Sequence, residues 1–277
     1  MESSDHQARF GGISRLYGPA AAKRIAAAHV CVVGIGGVGS WAAEALARSG
    51  IAKLTLIDLD DICVSNINRQ IHAFSSTVGQ YKVDVMADRV RDIHPEIEID
   101  CVRKFLTKDN AQELLDHPFD VVLDAIDNGK LKCHLLSTCR DLGIRSVTVG
   151  GAGGLRDPSK IRSIDLSRTY NDPLLTLVRK FLRRRHGWPR GKRKFRVPCI
   201  FSEELPVYVQ ADGTLVSRDD EGSDRGINCN TGLGTSATVT GAFGLHAAAA
   251  VIDVLIEEPT EQHDPEELSD STSVDYG

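Results

Sequence analysis

VCVVGIGGVGS over residues 30–40, followed by LTLID over 54–58, decides the fold. An apolar run of strand length ends in a glycine turn that opens a helix. A second apolar run then ends in an acid. Gly34, Gly36 and Gly39 fit G-x-G-x-x-G, with Asp58 about 20 residues further on. Glycine at these places lets the turn tighten and lets main-chain N–H groups approach phosphate oxygens. An acid ending the second strand can hydrogen-bond a ribose hydroxyl. The glycines alone would fit a close helix–strand contact equally well; strand, turn and acid together point to a nucleotide pocket.

Outward from this stretch the alternation continues. Strands are expected over 30–33, 54–57, 97–102, 121–123 and 146–149, and helices over 38–48, 83–93, 110–115 and 130–142. Such a pattern predicts an α/β fold, a Rossmann-like, mostly parallel sheet with helices on both faces. Ligands then bind outside the carboxyl ends of the strands. Gly34, Asp58, residues 124–127 and residues 150–154 all follow strand ends, so they converge on one edge. Beyond 154 the pattern loosens. A strand is expected over 160–166, a helix over 173–185, a basic loop over 188–198, a hairpin about Ala211-Asp212-Gly213 and a long helix over 235–256.

With 277 residues, 42% of them hydrophobic and 26% charged, the chain can bury one large core or two small ones. The net charge of −5 conceals a segregation. Residues 179–196 hold ten Lys and Arg and no acid, whereas 257–277 hold no Lys or Arg and eight acids. Composition predicts disorder for that acidic tail. Seven cysteines, an odd number at irregular spacing without C-x-x-C, argue for a reducing compartment and against a disulfide framework. The polar start carries no signal peptide, so a cytoplasmic protein is expected. Residues 233–256 are apolar enough to raise membrane association. Gly241, Gly244, His246 and Asp253 interrupt them, and the favoured reading is a buried helix.

A further constellation gathers behind Asp58. Asn66-Ile67-Asn68-Arg69-Gln70 lies in a polar turn, Gly79-Gln80-Tyr81-Lys82 opens the next helix, and Asp124-Ala125-Ile126-Asp127-Asn128 ends the fourth strand. Arg9 and Arg15 sit in a Gly-rich N-terminal arm. Arg69 and Lys82 are cations placed to meet phosphates. Asp127 can hold a magnesium ion bridging them. Taken singly, each is more readily a solvated surface charge; together, each after a strand end or at a helix start, they favour a site. A site for NAD leaves its pyrophosphate intact and seldom needs this set. A site that breaks an α–β phosphate bond needs it to neutralise the leaving pyrophosphate. Adenylation of a carboxylate is such a reaction.

GIGGVGS, LIDLDD, SNINRQ, VGQYK and DAIDN, in this order and spacing, resemble the ThiF/MoeB/HesA E1-like superfamily over residues 9–154. RFGGISRLYG, GGAGG, CIFSEE and INCNTGLGT narrow the likeness to its tRNA threonylcarbamoyladenosine dehydratase branch, and extend it to about residue 256. The resemblance implies that Gly34, Gly36, Gly37, Gly39 and Ser40 cradle ATP phosphates, and that Asp58 holds the ribose. Asp60, Asn66, Arg69, Gln70 and Lys82 then line the nucleotide, and Asp127 matches the magnesium ligand. It also implies a homodimer in which an arginine reaches the partner's ATP, commonly from Arg-x-x-Arg. Here Arg9 is followed by Gly12 at the second place, and Arg15, three residues on, is the preferred candidate. A monovalent cation, Na+ or K+, and sulfur-transfer partner proteins are compatible with the family.

On this reading residues 1–256 form one E1-like adenylating domain: an arm over 1–28, a nucleotide-binding core over 29–154 and a tRNA- and dimer-associated C-terminal extension over 155–256. The acidic tail follows. Cys199 and Cys229 are candidates for thiol chemistry, with Cys229, beside Asn228, Asn230 and Gly232, preferred as catalytic. A buried inert thiol is nevertheless the favoured reading for each. The basic stretch suits an RNA substrate, with Phe181, Trp188 and Phe195 available to stack on bases; an ordinary solvated face is the alternative. The expected activity is ATP-dependent cyclisation of N6-threonylcarbamoyladenosine in tRNA through a carboxyl-adenylate. The rivals are adenylation of a ubiquitin-like or sulfur-carrier protein, which the missing C-x-x-C pairs disfavour, and an NAD-dependent oxidoreductase, in which Arg69, Lys82 and Asp127 have no role. A non-catalytic RNA-binding module would leave the nucleotide pocket unexplained.

Overall fold

Strands that are apolar on both faces must be covered twice, and one central sheet does this here. The computed structural model describes residues 4–210, 212–217 and 233–257. Two helices, α1 (Ser4–Tyr17) and α2 (Pro19–Ala27), precede the alternation β1 (His29–Val33), α3 (Gly39–Arg48), β2 (Lys53–Ile57), α4 (Lys82–Ile93), β3 (Glu98–Val102), α5 (Ala111–Leu115), β4 (Val121–Asp124), α6 (Gly129–Asp141) and β5 (Arg145–Val149). Then come β6 (Ile161–Asp165), α7 (Pro173–Arg185), β7 (Pro198–Ser202), the hairpin β8 (Val207–Val209) and β9 (Leu215–Ser217), and α8 (Ala237–Ile256).

The seven-stranded sheet runs β3-β2-β1-β4-β5-β7-β6, parallel except for β6 against β7. Alternate strand residues feed two cores. Val30, Val32, Leu54 and Leu56 face α2, α3, α4 and α8, while Cys31, Val33, Ile57 and Val122 face α5, α6 and α7. Val33 pairs with both Ile57 and Asp124, so the residues after them, Gly34, Asp58 and Ala125, lie side by side at the carboxyl edge.

Two sequence expectations change, and the favoured reading of the long apolar segment holds. The N-terminal arm is helical, because Phe10 buries its ring against Gly50 and Ala21 and Ile25 are buried on α2. Tertiary packing outweighs the roughly 1 kcal/mol penalty of each helical glycine at Gly11 and Gly12. β7, hidden behind the basic stretch and buried on both faces, is inserted between β5 and β6. The long apolar segment is α8, the one helix among the described residues long and apolar enough to cross a membrane, and it is a core helix. It packs along α3 through Gly244, where a Cβ would lie 2.5 Å from Trp41 Cβ and 2.6 Å from the Val38 carbonyl oxygen.

Candidate active site

The glycines of the first turn divide by what they face. Gly34 has φ +91°, and a Cβ there would stand 2.9 Å from the Ala125 carbonyl oxygen. A Cβ on Gly39 would overlap the Gly34 carbonyl oxygen. Both are glycine because strand, turn and helix close on them. Gly36, by contrast, has nothing within 4 Å of its Cβ position, so the turn's main chain is open there to a ligand. Gly37 lies between Thr240 and the Arg69 side chain. Ser40, in the first turn of α3, has a buried hydroxyl with no hydrogen-bond partner. An orphan hydroxyl at the start of a helix suits an anion.

Asp58 ties the edge together. Its Oδ2 accepts the Ile35 N–H at 2.7 Å and its Oδ1 the Asp60 N–H at 2.9 Å. Each carboxylate oxygen retains a lone pair for a ribose hydroxyl. Asp60 in turn holds Lys82: Nζ donates to Oδ2 at 2.7 Å, with the lysine side chain 8% exposed and the aspartate 50%. Asn66 is buried and accepts the Cys63 N–H at 3.1 Å, which shapes the turn. Arg69 donates to the Ser65 carbonyl at 2.6 Å and to Asn68 Oδ1 at 3.0 Å. The Arg69 carbonyl accepts Trp41 Nε1 at 3.0 Å and Thr240 Oγ1 at 3.1 Å, so α3 and α8 both position the cation. Gln70 is buried with Oε1 unpartnered. Asp127, past the end of β4, is exposed and has no partner among the described residues.

Gly34, Gly36, Gly37, Gly39, Ser40, Asp58, Asp60, Asn66, Arg69, Gln70, Lys82 and Asp127 are thus carried by the carboxyl ends of β1, β2 and β4 and the segments that follow them. Arg15 is not. Its guanidinium lies back along α1 near Gly11, and α1 packs at the opposite edge, where Arg9 donates to the Ile93 carbonyl. Cys229 lies outside the described residues. Cys199 is fully buried in β7, and burial pushes its thiol well above the ordinary range, which makes it inert.

Sequence reading missed three supports of the edge. Lys132 is wholly buried and donates to Asp124 Oδ2 at 2.9 Å and to Thr148 Oγ1 at 3.2 Å. This pair pins the strand end that carries Asp127. Asp172 accepts the Gly151 N–H at 2.9 Å and caps α7 through the Leu175 N–H, and Gly150 leaves it the room. His72 is fully buried with neither ring nitrogen hydrogen-bonded. Burial first, then the nearby Lys82 and Arg89, lower its pKa to about 4, so a neutral imidazole borders Lys82. No local pattern marks any of the three, since each partner is brought by a different strand or loop.

The basic stretch is partly structural. Trp188 and Phe195 are buried against each other with ring centroids 5.0 Å apart, which corrects their expected role in stacking on bases. Arg183 lies over Phe195 at 5.0 Å and donates to the Pro189 carbonyl at 3.3 Å. Arg185 lies over the half-buried Phe181 at 5.8 Å. Lys180, Arg184, Arg185, Arg190, 192–194 and Arg196 are exposed, and no cation of 179–196 has an acid partner among the described residues.

A mostly parallel sheet with a glycine turn, an anchored acid and two held cations at one edge is the architecture of an E1-like adenylating protein, and the chain belongs to the ThiF family, whose model matches residues 11–271. It is 44% identical over 256 residues to the tRNA threonylcarbamoyladenosine dehydratase of Haemophilus influenzae (strain ATCC 51907 / DSM 11121 / KW20 / Rd), covering 92% of this chain and 95% of the relative. Its identity to the Escherichia coli (strain K12) protein of the same name is 46% over 257 residues, 92% of this chain and 96% of the relative. A crystal structure of the E. coli tRNA N6-threonylcarbamoyladenosine dehydratase, TcdA, in complex with ATP superposes with a TM-score of 0.80 at 42% identity, covering 92% of this chain and 97% of that one.

Proposed function

We propose that this protein is an ATP-dependent enzyme that cyclises N6-threonylcarbamoyladenosine in tRNA with net loss of water. The observation that carries the reading is the gathering of Lys82, Arg69, the open Gly36 turn and Asp127 at one sheet edge, in a chain 44–46% identical to two dehydratases of that name. A carboxylate oxygen of the substrate attacks the α-phosphorus of ATP, the bond to the bridging oxygen breaks, and pyrophosphate leaves. Lys82, oriented by Asp60, and Arg69, fixed by Ser65 and Asn68, neutralise charge on the leaving group. A nitrogen of the same substrate group then attacks the acyl carbon, AMP departs, and the ring closes.

Magnesium fits the residues present. Asp127 offers one exposed carboxylate, and no group of three or more His, Cys, Asp or Glu among the described residues could hold a metal alone. Magnesium typically binds through one or two carboxylates plus substrate phosphates, and it would supply charge neutralisation there. Asp127 is the residue that would hold it.

A cytoplasmic homodimer completes the reading. Val64, Ile67, Phe74, Val78 and Tyr81 expose apolar surface along the nucleotide edge, and Leu16 does so next to Arg15. Arg15 cannot serve its own subunit's edge from α1, so it serves the partner's. The exposed cations of 179–196 supply phosphate contacts to tRNA.

The test is to supply MgATP with tRNA carrying N6-threonylcarbamoyladenosine, unmodified tRNA, or a ubiquitin-like carrier protein. AMP, pyrophosphate and a nucleoside lighter by one water should appear with the modified tRNA alone. AMP formation that depends on the carrier protein and ignores RNA would overturn the reading.

A further inference from the structure

The molecule segregates its charge, and the helix that carries the basic stretch and the helix that precedes the acidic one end at the same edge of the sheet. Residues 179–196 contribute ten cations and no acid, and none of the ten is paired with an acid among the described residues. Residues 258–277 contribute seven acids and no Lys or Arg. α7 ends at the amino edge of the sheet, where Arg140 at the end of α6 donates to the His186 carbonyl at 2.9 Å. α8 ends at the same edge: Arg145, which opens β5, donates to the Val254 carbonyl, and Arg24 donates to the Ile256 carbonyl at 2.8 Å. The two helix ends lie on opposite faces of the sheet, a separation on the order of 20 Å for a helix–sheet–helix sandwich. A chain of 20 residues reaches at most about 70 Å.

We infer that the acidic segment 258–277 docks on the basic surface of α7 and the following loop, and that tRNA must displace it. Tethering gives the segment a local concentration on the order of millimolar, enough for a weak charge contact to be populated. Seven acids against ten cations leave the surface still positive. A dense polyanion such as tRNA can therefore expel the segment, while short oligonucleotides and acidic proteins compete poorly. The segment acts as a filter on binding. The filtering of tRNA rests on the proposed function; the docking itself does not.

Docking changes the counterion count. If the segment already neutralises the cations, fewer ions are released when tRNA arrives, so the salt dependence of the wild type is shallower than that of a chain without the acids. The experiment uses the full chain and a full-length variant in which the seven acids of 258–277 become Asn or Gln. The variant should bind tRNA on the order of tenfold more tightly at low salt, with a steeper log–log salt slope, and converge with the wild type at high salt. A synthetic peptide of residues 258–277, titrated into the variant, should bind, weaken with salt, and lose binding when Lys180, Arg184 and Arg185 are changed to Glu. Equal affinities and slopes for the two chains, or a peptide that does not bind, would overturn the docking. If neither chain binds tRNA while the peptide binds, docking stands and the tRNA assignment fails.

Discussion

The carboxyl edge and the α7 surface both use cations, and they use them in opposite ways. At the edge, Lys82 is 8% exposed and held by Asp60, and Arg69 is braced by two acceptors on its own turn. Around α7, Arg184, Arg190 and residues 192–194 are exposed and have no acid beside them. A small ligand whose bond is to be broken needs charges at fixed points, and fixing a charge requires burial and a partner. A polyanion needs only many accessible charges, because its affinity comes from released counterions rather than from one geometry. One region is therefore sensitive to single atoms and the other to total charge.

The comparison breaks most visibly at Gly39. A Cβ there overlaps a main-chain oxygen, so Gly39→Ala should cost more than about 4 kcal/mol and abolish ATP binding, measured by urea unfolding and by the ATP-induced rise in melting temperature. Gly36→Ala, with open space around its Cβ, should keep the fold. A stable Gly39→Ala that binds ATP would show that the turn is not closed as described.

His72 gives the next effect. Its folded pKa of about 4 lies below the unfolded value of 6.5, so between these limits the unfolded chain binds more protons. Stability should be complete above pH 6.5 and fall as the pH drops towards 4, by about 3 kcal/mol in all from this group. Chemical unfolding from pH 7 to 4.5 should show a slope that flattens in His72→Gln. An unchanged slope would mean that the imidazole is not buried neutral in solution.

Asp127→Ala should lower turnover by a hundredfold or more, about 2.7 kcal/mol, and leave stability within about 0.5 kcal/mol, because the exposed carboxylate packs against nothing. A large stability loss would move Asp127 from the chemistry to the scaffold. Smallest per residue, Lys180, Arg184 and Arg185 changed together to Glu should lower the tRNA salt slope by about 0.7 to 0.9 per lost phosphate contact without weakening ATP binding. Arg183→Ala should behave differently, losing stability through Phe195 and Pro189. If Arg183 matched the exposed cations in the salt experiment, the division between packing and phosphate binding in this stretch would not hold.

How much was readable from the chain differs between the same two regions. The strands, the glycine turn, Asp58 and the DAIDN segment are local patterns: apolar runs of strand length, residues allowed at positive φ, and acids at strand ends. Helix α7 was legible over its full span, 173–185. Beyond it, the reading treated 188–198 as one exposed basic loop with aromatics free to stack. Only packing reveals that Trp188 and Phe195 close the second core, because alternating basic and aromatic residues look alike whether the rings point inward or outward.

The sequence by itself determined the order of elements from β1 to β5, the sheet edge at which the candidate residues gather, and the separation of positive from negative charge along the chain. These follow from nearest-neighbour sterics, hydrophobic periodicity and composition, which need no knowledge of distant partners. Tertiary structure decided which charges are buried and paired, as in Lys132 with Asp124 and Lys82 with Asp60, and that Arg15 lies at the edge opposite the nucleotide turn. It also decided that the most apolar helix is a core helix, through the approach of Gly244 to Trp41. Those outcomes depend on long-range contacts between segments tens to hundreds of residues apart, and burial and electrostatic environment exist only once such contacts form.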